Sequence, residues 1–356
     1  MKKPISKRQV FYVHGFDQRG SRFFNLWQKK EARAYSKRFG REIHVGDPQD
    51  DSWLITSGDV ETEFSFLDWT PVIKRRFGIN AASWLISMIS LWFTAIRQGL
   101  FLKTRRADWW IGLLMIWAFL PIFLLCAILI SSVFMGALWG AGAVCLFGVF
   151  VFLVWKYDQH LGIFYASNIA WAAREMALKK NPGLEGLKSE FLRKLERSQA
   201  DEIILVGHSV GCALGVELLS QAPVEVKFLS VGQSIPLVSF QKEATDLRSN
   251  MNTQKEKHRI WIDVSAGRDV LGFSGFDPSK GGAECYYAQF QRSHGAKLLQ
   301  GLRWKGFDLH FLYFQSIKTE GSAWDWFDIL TGSTPLEDRF HSKEKMDGRG
   351  QRRMHF

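Results

Sequence analysis

The sequence predicts an α/β protein in which a mostly parallel sheet, covered by helices, is interrupted by an inserted transmembrane helical hairpin. Short β-branched and aromatic runs alternate with helix-like segments at both ends of the 356-residue chain. Such alternation is typical of sheets whose parallel strands are joined by crossover helices. Between the two ends, residues 109–155 contain no charged side chain, and this stretch is about twice the roughly 20 residues that cross a bilayer as a helix.

Residues 1–70 are predicted to form the first part of the α/β domain. The run QVFYV is typical of a buried strand, and it leads directly into the sharp turn His14-Gly15. The elements predicted after it are a helix over 22–39 and a strand over 42–45. From 51 to 80 the periodicity is weak.

Residues 158–335 are predicted to complete the α/β domain, and residues 336–356 to form a basic, solvated tail. The helices predicted in this part cover 158–180, 184–198 and 210–220, and the strands cover 203–206, 224–231 and 259–264.

Residues 71–157 are predicted to be the membrane insertion, with transmembrane helices over 109–131 and 133–155 that turn near 136–142. The apolar segment 81–102 is interrupted by Arg97 and is flanked by basic residues, which favours a helix lying along the interface. Trp84, Trp92 and Phe93 are then expected at headgroup depth. The basic residues of the preceding flank are Lys74, Arg75, Arg76, Arg97, Lys103, Arg105 and Arg106.

The formal net charge is +11, and the basic residues behind it lie largely in this flank and in the tail. Clusters of this kind bind anionic lipid and stay on the cytoplasmic side of a membrane. Because no zinc-finger, homeodomain or RNA-binding motif accompanies the charge, no nucleic-acid partner is expected. The four cysteines lack metal-ligand spacing, so we expect neither a disulfide framework nor a metal site, and no cofactor is predicted.

The segment Gly207-His208-Ser209-Val210-Gly211 fits the G-x-S-x-G pattern. Strand-like residues precede it and a small-residue helix start follows, which is the context that a nucleophile elbow requires. The strained turn would expose the Ser209 hydroxyl, while the glycines let the strand and the helix approach closely. The alternative is that the glycines merely form a tight turn.

Two backbone N–H groups are predicted to bind a developing oxyanion. That of Val210 lies at the helix start after Ser209. The second donor is expected in the loop after the first strand, where Gly15 permits a bend and Phe16 supplies the N–H.

A serine nucleophile needs a histidine base oriented by a carboxylate. Asp269 is the favoured acid because it follows the C-terminal end of a strand, where ligand-facing residues of α/β sheets collect; Asp263 and Asp277 are the alternatives. His310, after the last possible strand, is the favoured base and His294 the alternative. His258 precedes Asp263 and Asp269, and His208 is expected to pack beside the site.

The motifs FYVHGFDQRG, FLDW, LVGHSVG, WIDVSAGRD and DLHFLYF resemble the α/β-hydrolase superfamily, specifically a group of membrane-inserted bacterial members. The resemblance covers most of the chain outside the apolar block. It implies that Ser209, Asp269 and His310 form the triad and that Phe16 and Val210 are the oxyanion donors. The sequence departs from that pattern because it starts at the strand before His14, without the two leading strands usual in the superfamily. The strands at that edge of the sheet are therefore left unassigned.

The sequence therefore predicts a membrane-anchored serine hydrolase, esterase- or lipase-like, that cleaves an acyl ester or thioester through an acyl-enzyme. The alternatives are a catalytically silent membrane scaffold with this fold and an acyltransferase that uses the same triad. The Gly15 loop and Ser209 must meet, so the membrane crossings between them must be even in number, and two is expected. The expected location is the bacterial inner membrane, multi-pass, with the hydrolase domain in the cytoplasm and a lipid or other acyl ester as substrate.

Overall fold

The chain forms one eight-stranded, mostly parallel sheet with helices on both faces, so the predicted α/β class is confirmed. The computed structural model describes residues 4–158, 162–257, 259–267, 269–288, 290, 309–317 and 324–340. The strands are β1 (Lys7–Val13), β2 (His44–Val45), β3 (Ser52–Ser57), β4 (Val60–Leu67), β5 (Glu202–His208), β6 (Lys227–Val231), β7 (Trp261–Ser265) and β8 (Glu284–Tyr287).

The helices begin and end where the sequence supplies caps. Gly40 and Gly99 adopt left-handed backbone at the ends of two of them, and Asn80 and Asp108 accept N-terminal N–H groups of two others. The helices are α1 (Ser21–Phe39), α2 (Thr70–Phe77), α3 (Ala81–Gln98), α4 (Leu100–Ala107), α5 (Trp109–Ala118), α6 (Leu120–Met135), α7 (Ala137–Tyr157), α8 (Ile163–Leu178), α9 (Pro182–Glu196), α10 (Gly211–Gln221), α11 (Ile235–Ser239), α12 (Thr245–Glu256) and α13 (Trp326–Thr331).

The strand order is β2-β3-β4-β1-β5-β6-β7-β8. β3 is antiparallel to both of its neighbours, and all the other pairs are parallel. Val13, the last residue of β1, pairs with Leu67 on one side and Gly207 on the other. The carboxyl ends of β1, β5, β6 and β7 therefore lie side by side, and the loops that follow them meet at one edge of the sheet.

Two apolar cores cover the two faces of the sheet. Alternate residues of β1 point to opposite faces, so Phe11 and Val13 pack with α9 and α10, whereas Val10 and Tyr12 pack with α1 and α13. All four of these side chains are fully buried.

The sequence analysis missed the hairpin of β3 and β4, in the region where periodicity looked weak. Gly58, with φ of 55°, makes its turn, and β3 alternates half-buried or exposed residues with buried ones. Together with β2, this hairpin forms the sheet edge that the sequence left unassigned. The strand β8 and the helix α12 were also missed.

The apolar region differs in detail from the predicted hairpin. The helix break at Gly136 lies within the turn predicted near 136–142, although α6 extends to Met135 rather than ending at 131. The first arm bends by 56° between α5 and α6. Pro121 lies in the first turn of α6, where its missing N–H and fixed φ favour a helix start over continuation of α5. By length and composition, the described residues contain one helix able to cross a membrane, Leu138–Tyr157, or up to three if each of two bent helix pairs is one span.

The segment predicted as one interfacial helix over 81–102 is two helices, because Gly99 ends α3. Trp84 does not lie at the headgroup-facing surface as expected. It is fully buried, and its indole Nε1 donates to Ser167 Oγ at 2.8 Å. Trp92 is half-buried and Phe93 is exposed. One face of α3 therefore packs against α6, α7 and α8 in a third apolar cluster.

Candidate active site

Ser209 occupies a strained turn between β5 and α10. Its φ is 56°, a left-handed conformation that side chains other than glycine rarely adopt. The turn is held by backbone hydrogen bonds from Ser209 N to Val231 O and from Ser234 N to Ser209 O, each 3.1 Å long. Ser209 is half-buried, so its hydroxyl retains access to the surrounding cavity. These are the geometric features of a nucleophile elbow.

Glycines allow three backbone segments to converge on Ser209. A Cβ on Gly15 would lie 2.8 Å from Ser209 Cβ, and one on Gly211 would lie 2.3 Å from His14 O. At Gly207 a Cβ would lie 2.8 Å from the Cα of Cys212. The predicted close approach of the first loop to the serine turn is thus present, and side chains at these positions would prevent it.

The two predicted oxyanion donors flank this convergence. Phe16 directly follows Gly15, and Val210 directly follows Ser209. Within the described parts of the chain, no acceptor takes a hydrogen bond from either N–H. The Phe16 carbonyl, in contrast, accepts a hydrogen bond from the Tyr165 hydroxyl at the start of α8. Both N–H groups are therefore available to a ligand oxygen.

Asp269 and His310 form a buried hydrogen-bonded pair. His310 Nδ1 lies 2.7 Å from Asp269 Oδ1, and both residues are only 2% exposed. The His310 Nε2 atom is buried without a hydrogen-bond partner among the described residues. An imidazole that donates from Nδ1 to a carboxylate has Nε2 free to accept a proton, as a serine base requires.

Three further donors orient the Asp269 carboxylate. The N–H groups of Leu271 and Gly272 each donate to Oδ1 at 3.0 Å, and the Tyr313 hydroxyl donates to Oδ2 at 3.0 Å. Burial, together with the Asp269 charge, raises the pKa of Tyr313 well above its ordinary value, so this phenol keeps its proton. The carboxylate is consequently held in one orientation toward His310.

The two alternative acids, Asp263 and Asp277, form hydrogen bonds away from His310. Asp263 is fully buried within β7 and accepts a hydrogen bond from the Ser230 hydroxyl of β6. Burial raises its pKa to about 7. Asp277 accepts from the Ser279 N–H at 2.8 Å and closes its own loop. Of the three candidate acids, Asp269 is the one bonded to His310.

The remaining predicted histidines pack around the site or lie outside the described residues. His208 is fully buried and its Nε2 lies 3.1 Å from the His310 carbonyl oxygen, which identifies Nε2 as the protonated nitrogen. Burial and the adjacent His310 lower its pKa well below the ordinary value. Burial also lowers the pKa of His14 to about 4, so both rings are neutral near pH 7. His258 and His294 lie outside the described residues.

Ser209 and His310 line one apolar cavity of about 1040 Å³, its open mouth included. Gly15, Phe16 and His208 line it on the sheet side. Its other walls come from α3, α5 and α8, and include Leu91, Ala95, Ile111, Met115, Ala166 and Ala170. Ser209 and His310 therefore face a hydrophobic space that helices of the apolar region wall in part.

Cys212, the other nucleophilic side chain of the turn, is excluded from this role. It is fully buried, and burial raises the pKa of its thiol well above the ordinary value, which suppresses the reactive thiolate. Among the residues that the structure describes, no group of three or more His, Cys, Asp or Glu side chains could hold a metal ion.

Three residues that support the site were not singled out from the sequence. Tyr313 lies only three residues after His310, and Tyr165 lies in a different part of the chain from the Phe16 carbonyl it binds. Gly232 had a local signal, since it follows β6 as a glycine. Its φ is 52°, and a Cβ there would lie 2.6 Å from Asp269 Oδ2. The tyrosine contacts depend on tertiary packing that no motif records.

Comparison of the chain with protein-family models, curated proteins and solved structures found no match. The function is therefore inferred from the arrangement of Ser209, His310 and Asp269 and from the cavity beside them.

Proposed function

We propose that this protein is a membrane-anchored serine hydrolase of the α/β-hydrolase type, which cleaves an acyl ester or thioester through an acyl-enzyme. The observation that carries the proposal is the combination of a strained Ser209 at φ of 56° with the 2.7 Å pair of Asp269 and His310 on the same cavity. Strain is retained where function needs it, and a fold without catalysis has no need of all three groups.

In the proposed reaction His310 Nε2 takes the Ser209 proton as Oγ attacks the acyl carbon. The tetrahedral oxyanion accepts hydrogen bonds from the N–H groups of Phe16 and Val210, each worth about 10²- to 10³-fold in rate when lost from comparable sites. His310 then protonates the departing alcohol or thiol, leaving the acyl group on Ser209. A water molecule, deprotonated by His310, releases the acid and restores the serine.

The membrane part of the proposal follows from the chain path. β1 and β5 are adjacent in the sheet, yet the apolar segment lies between them in sequence, so the number of crossings must be even. Two crossings are α7 and the bent pair of α5 and α6. The third possible span, α2 with α3, bends by 106° and packs on α8, which favours a place at the membrane surface.

Exposed side chains beside these helices support an inner-leaflet location. Arg97, Lys103, Arg105 and Arg106 are exposed next to the exposed indoles of Trp109 and Trp110. Basic residues beside interfacial tryptophans are typical of the cytoplasmic boundary of a transmembrane helix. We therefore propose a bacterial inner-membrane protein with its hydrolase domain in the cytoplasm.

The proposal is tested by labelling membranes that contain the full-length protein with a fluorophosphonate probe. The parent should be labelled, Ser209→Ala should not, and Ser234→Ala is the matched control because this second cavity serine donates its hydroxyl to Leu271 O. Equal labelling of parent and Ser209→Ala, or no labelling of either, would contradict the proposed function.

A further inference from the structure

The cavity beside Ser209 is walled by helices that the hydrolase chemistry alone does not require. Leu91 and Ala95 come from α3, Ile111 and Met115 from α5, and Ala166 and Ala170 from α8. The buried faces of α3 and α5 are the ones turned inward, while Leu113, Ile116 and Trp117 of α5 are exposed on the outside. A single helix thus separates the cavity from the apolar outer surface.

The charged side chain among the described residues that line this cavity is paired with a carboxylate. Arg174 lines the cavity, and its guanidinium donates to Glu243 Oε1 at 2.8 Å and holds the pKa of Glu243 at about 2. Gln98 at the end of α3 also donates to this carboxylate, at 2.9 Å. His208 is neutral because of its burial. No unpaired charge in this lining is therefore available to bind an ionised ligand. An apolar chain, in contrast, could enter the cavity from water without the costly desolvation of charged groups.

We infer that this cavity is an acyl-chain site, and that the substrate of Ser209 is an ester or thioester of a fatty acid. The inference rests on the proposed function, since the carboxyl end of the chain must lie at Ser209. The carbonyl carbon lies beside the N–H groups of Phe16 and Val210, and the hydrocarbon tail extends between α3, α5 and α8. The membrane insertion thereby forms part of the substrate site as well as anchoring the enzyme.

Chain-length specificity tests the inference. The full-length protein is reconstituted in lipid nanodiscs, and kcat/KM is measured for p-nitrophenyl acetate, butyrate, hexanoate and octanoate. Burial of each added methylene should raise kcat/KM by about fourfold until the site is filled. A flat profile in the parent would overturn the acyl-chain site.

Variants that fill the cavity make the test specific. Ala166 and Ala170 are half-buried residues of α8 that line it, so Ala166→Phe and Ala170→Phe should lower the ratio of kcat/KM for octanoate to kcat/KM for acetate to near one. Ala82→Phe, at an exposed position of α3, is the matched control and should retain the parental profile. Profiles unchanged in both cavity variants would overturn the inference even if the parent prefers long chains.

The experiments distinguish a protein that is not a serine hydrolase from a serine hydrolase that has no acyl-chain site. Absent acetate turnover with unlabelled Ser209 contradicts both, whereas labelled Ser209 with a flat profile contradicts the acyl site alone. The source of the acyl chain is distinguished by comparing palmitoyl-coenzyme A in solution with dipalmitoylglycerol embedded in the nanodisc. Hydrolysis of either supports the site, and hydrolysis of neither contradicts it.

Discussion

At the residue scale, the sequence could rank the candidate acids, but their assignment depends on one contact, the hydrogen bond between Asp269 and His310. Asp263 and Asp269 lie six positions apart, Asp263 within β7 and Asp269 in the loop after it. The sequence favoured Asp269 because it lies beyond the strand end, and its bond to His310 Nδ1 agrees with that choice. The N–H groups of Leu271 and Gly272 that orient Asp269 belong to its own turn, whereas the contact from Tyr313 was not predictable because it joins segments 44 residues apart.

Replacing each aspartate in turn distinguishes the carboxylate that acts in catalysis from the one that is buried for structural reasons. Asp269→Asn should lower kcat by about 10³- to 10⁴-fold, because the amide no longer holds His310 in the tautomer that accepts the serine proton. Asp263→Asn should leave kcat near the parental value. The measurement is ester hydrolysis by the purified full-length variants, and a large loss confined to Asp263→Asn would show that the acid is misassigned.

Asp263 should instead affect how stability depends on pH. Its pKa in the folded protein is raised by burial to about 7, above the ordinary value near 3.8, so the folded state holds the proton longer than the unfolded state. Stability conferred by the protonated group is present at low pH and is lost as the pH rises toward 7. The side chain of Asn does not titrate, so Asp263→Asn should not lose stability over this pH range.

The expected result is a difference in thermal midpoint between Asp263→Asn and the parent that grows from pH 5 to pH 8, with the variant more stable at pH 8. The underlying difference in the free energy of unfolding is on the order of a few kcal/mol. A constant difference across this range would contradict the buried, protonated state of Asp263.

At the scale of elements, glycines fix how closely β1, β5 and α10 approach. Gly211→Ala would place a Cβ 2.3 Å from His14 O and 2.7 Å from Val13 O. Because both contacts are with backbone, the unfolding free energy should fall by about 3 kcal/mol. Gly186→Ala, where a Cβ in α9 meets nothing within 4 Å, should gain about 0.5–1 kcal/mol. Denaturant unfolding measures both, and equal effects would contradict the close approach.

Helix α8 connects the apolar region to the oxyanion loop through Tyr165, whose hydroxyl donates to the Phe16 carbonyl. Tyr165→Phe should lower kcat by up to about tenfold with little change in KM, because one net hydrogen bond that orients the Phe16 N–H is lost. Tyr157→Phe, at an exposed position of α7, is the control. A rise in KM at constant kcat would show that Tyr165 acts only in binding.

The elements also show where sequence patterns fail. The strands that lead into the site were predictable because they are apolar and end in glycine turns. The hairpin of β3 and β4 was missed although Glu61 and Glu63 of β4 alternate with buried residues, a pattern that indicates a strand. The interfacial helix was misassigned at Trp84, since composition cannot distinguish an indole buried among helices from one at a membrane surface.

At the scale of the whole molecule, the chain places its longest apolar segment between the two halves of its site. The adjacency of β1 and β5 brings the Phe16 loop to Ser209, and the helices inserted between them in sequence supply the cavity walls. We therefore propose that the same insertion both anchors the protein and contributes to substrate recognition.

If Ser209 is the nucleophile, it becomes acylated during turnover, and the acyl-enzyme itself can be detected. The protein is mixed briefly with an octanoyl ester, quenched in acid, digested and analysed by tandem mass spectrometry. We expect an octanoyl adduct on Ser209 that is absent from Ser209→Ala and from His310→Ala. Turnover without an adduct on the peptide that contains Ser209, or an adduct on Cys212 in its place, would contradict the account.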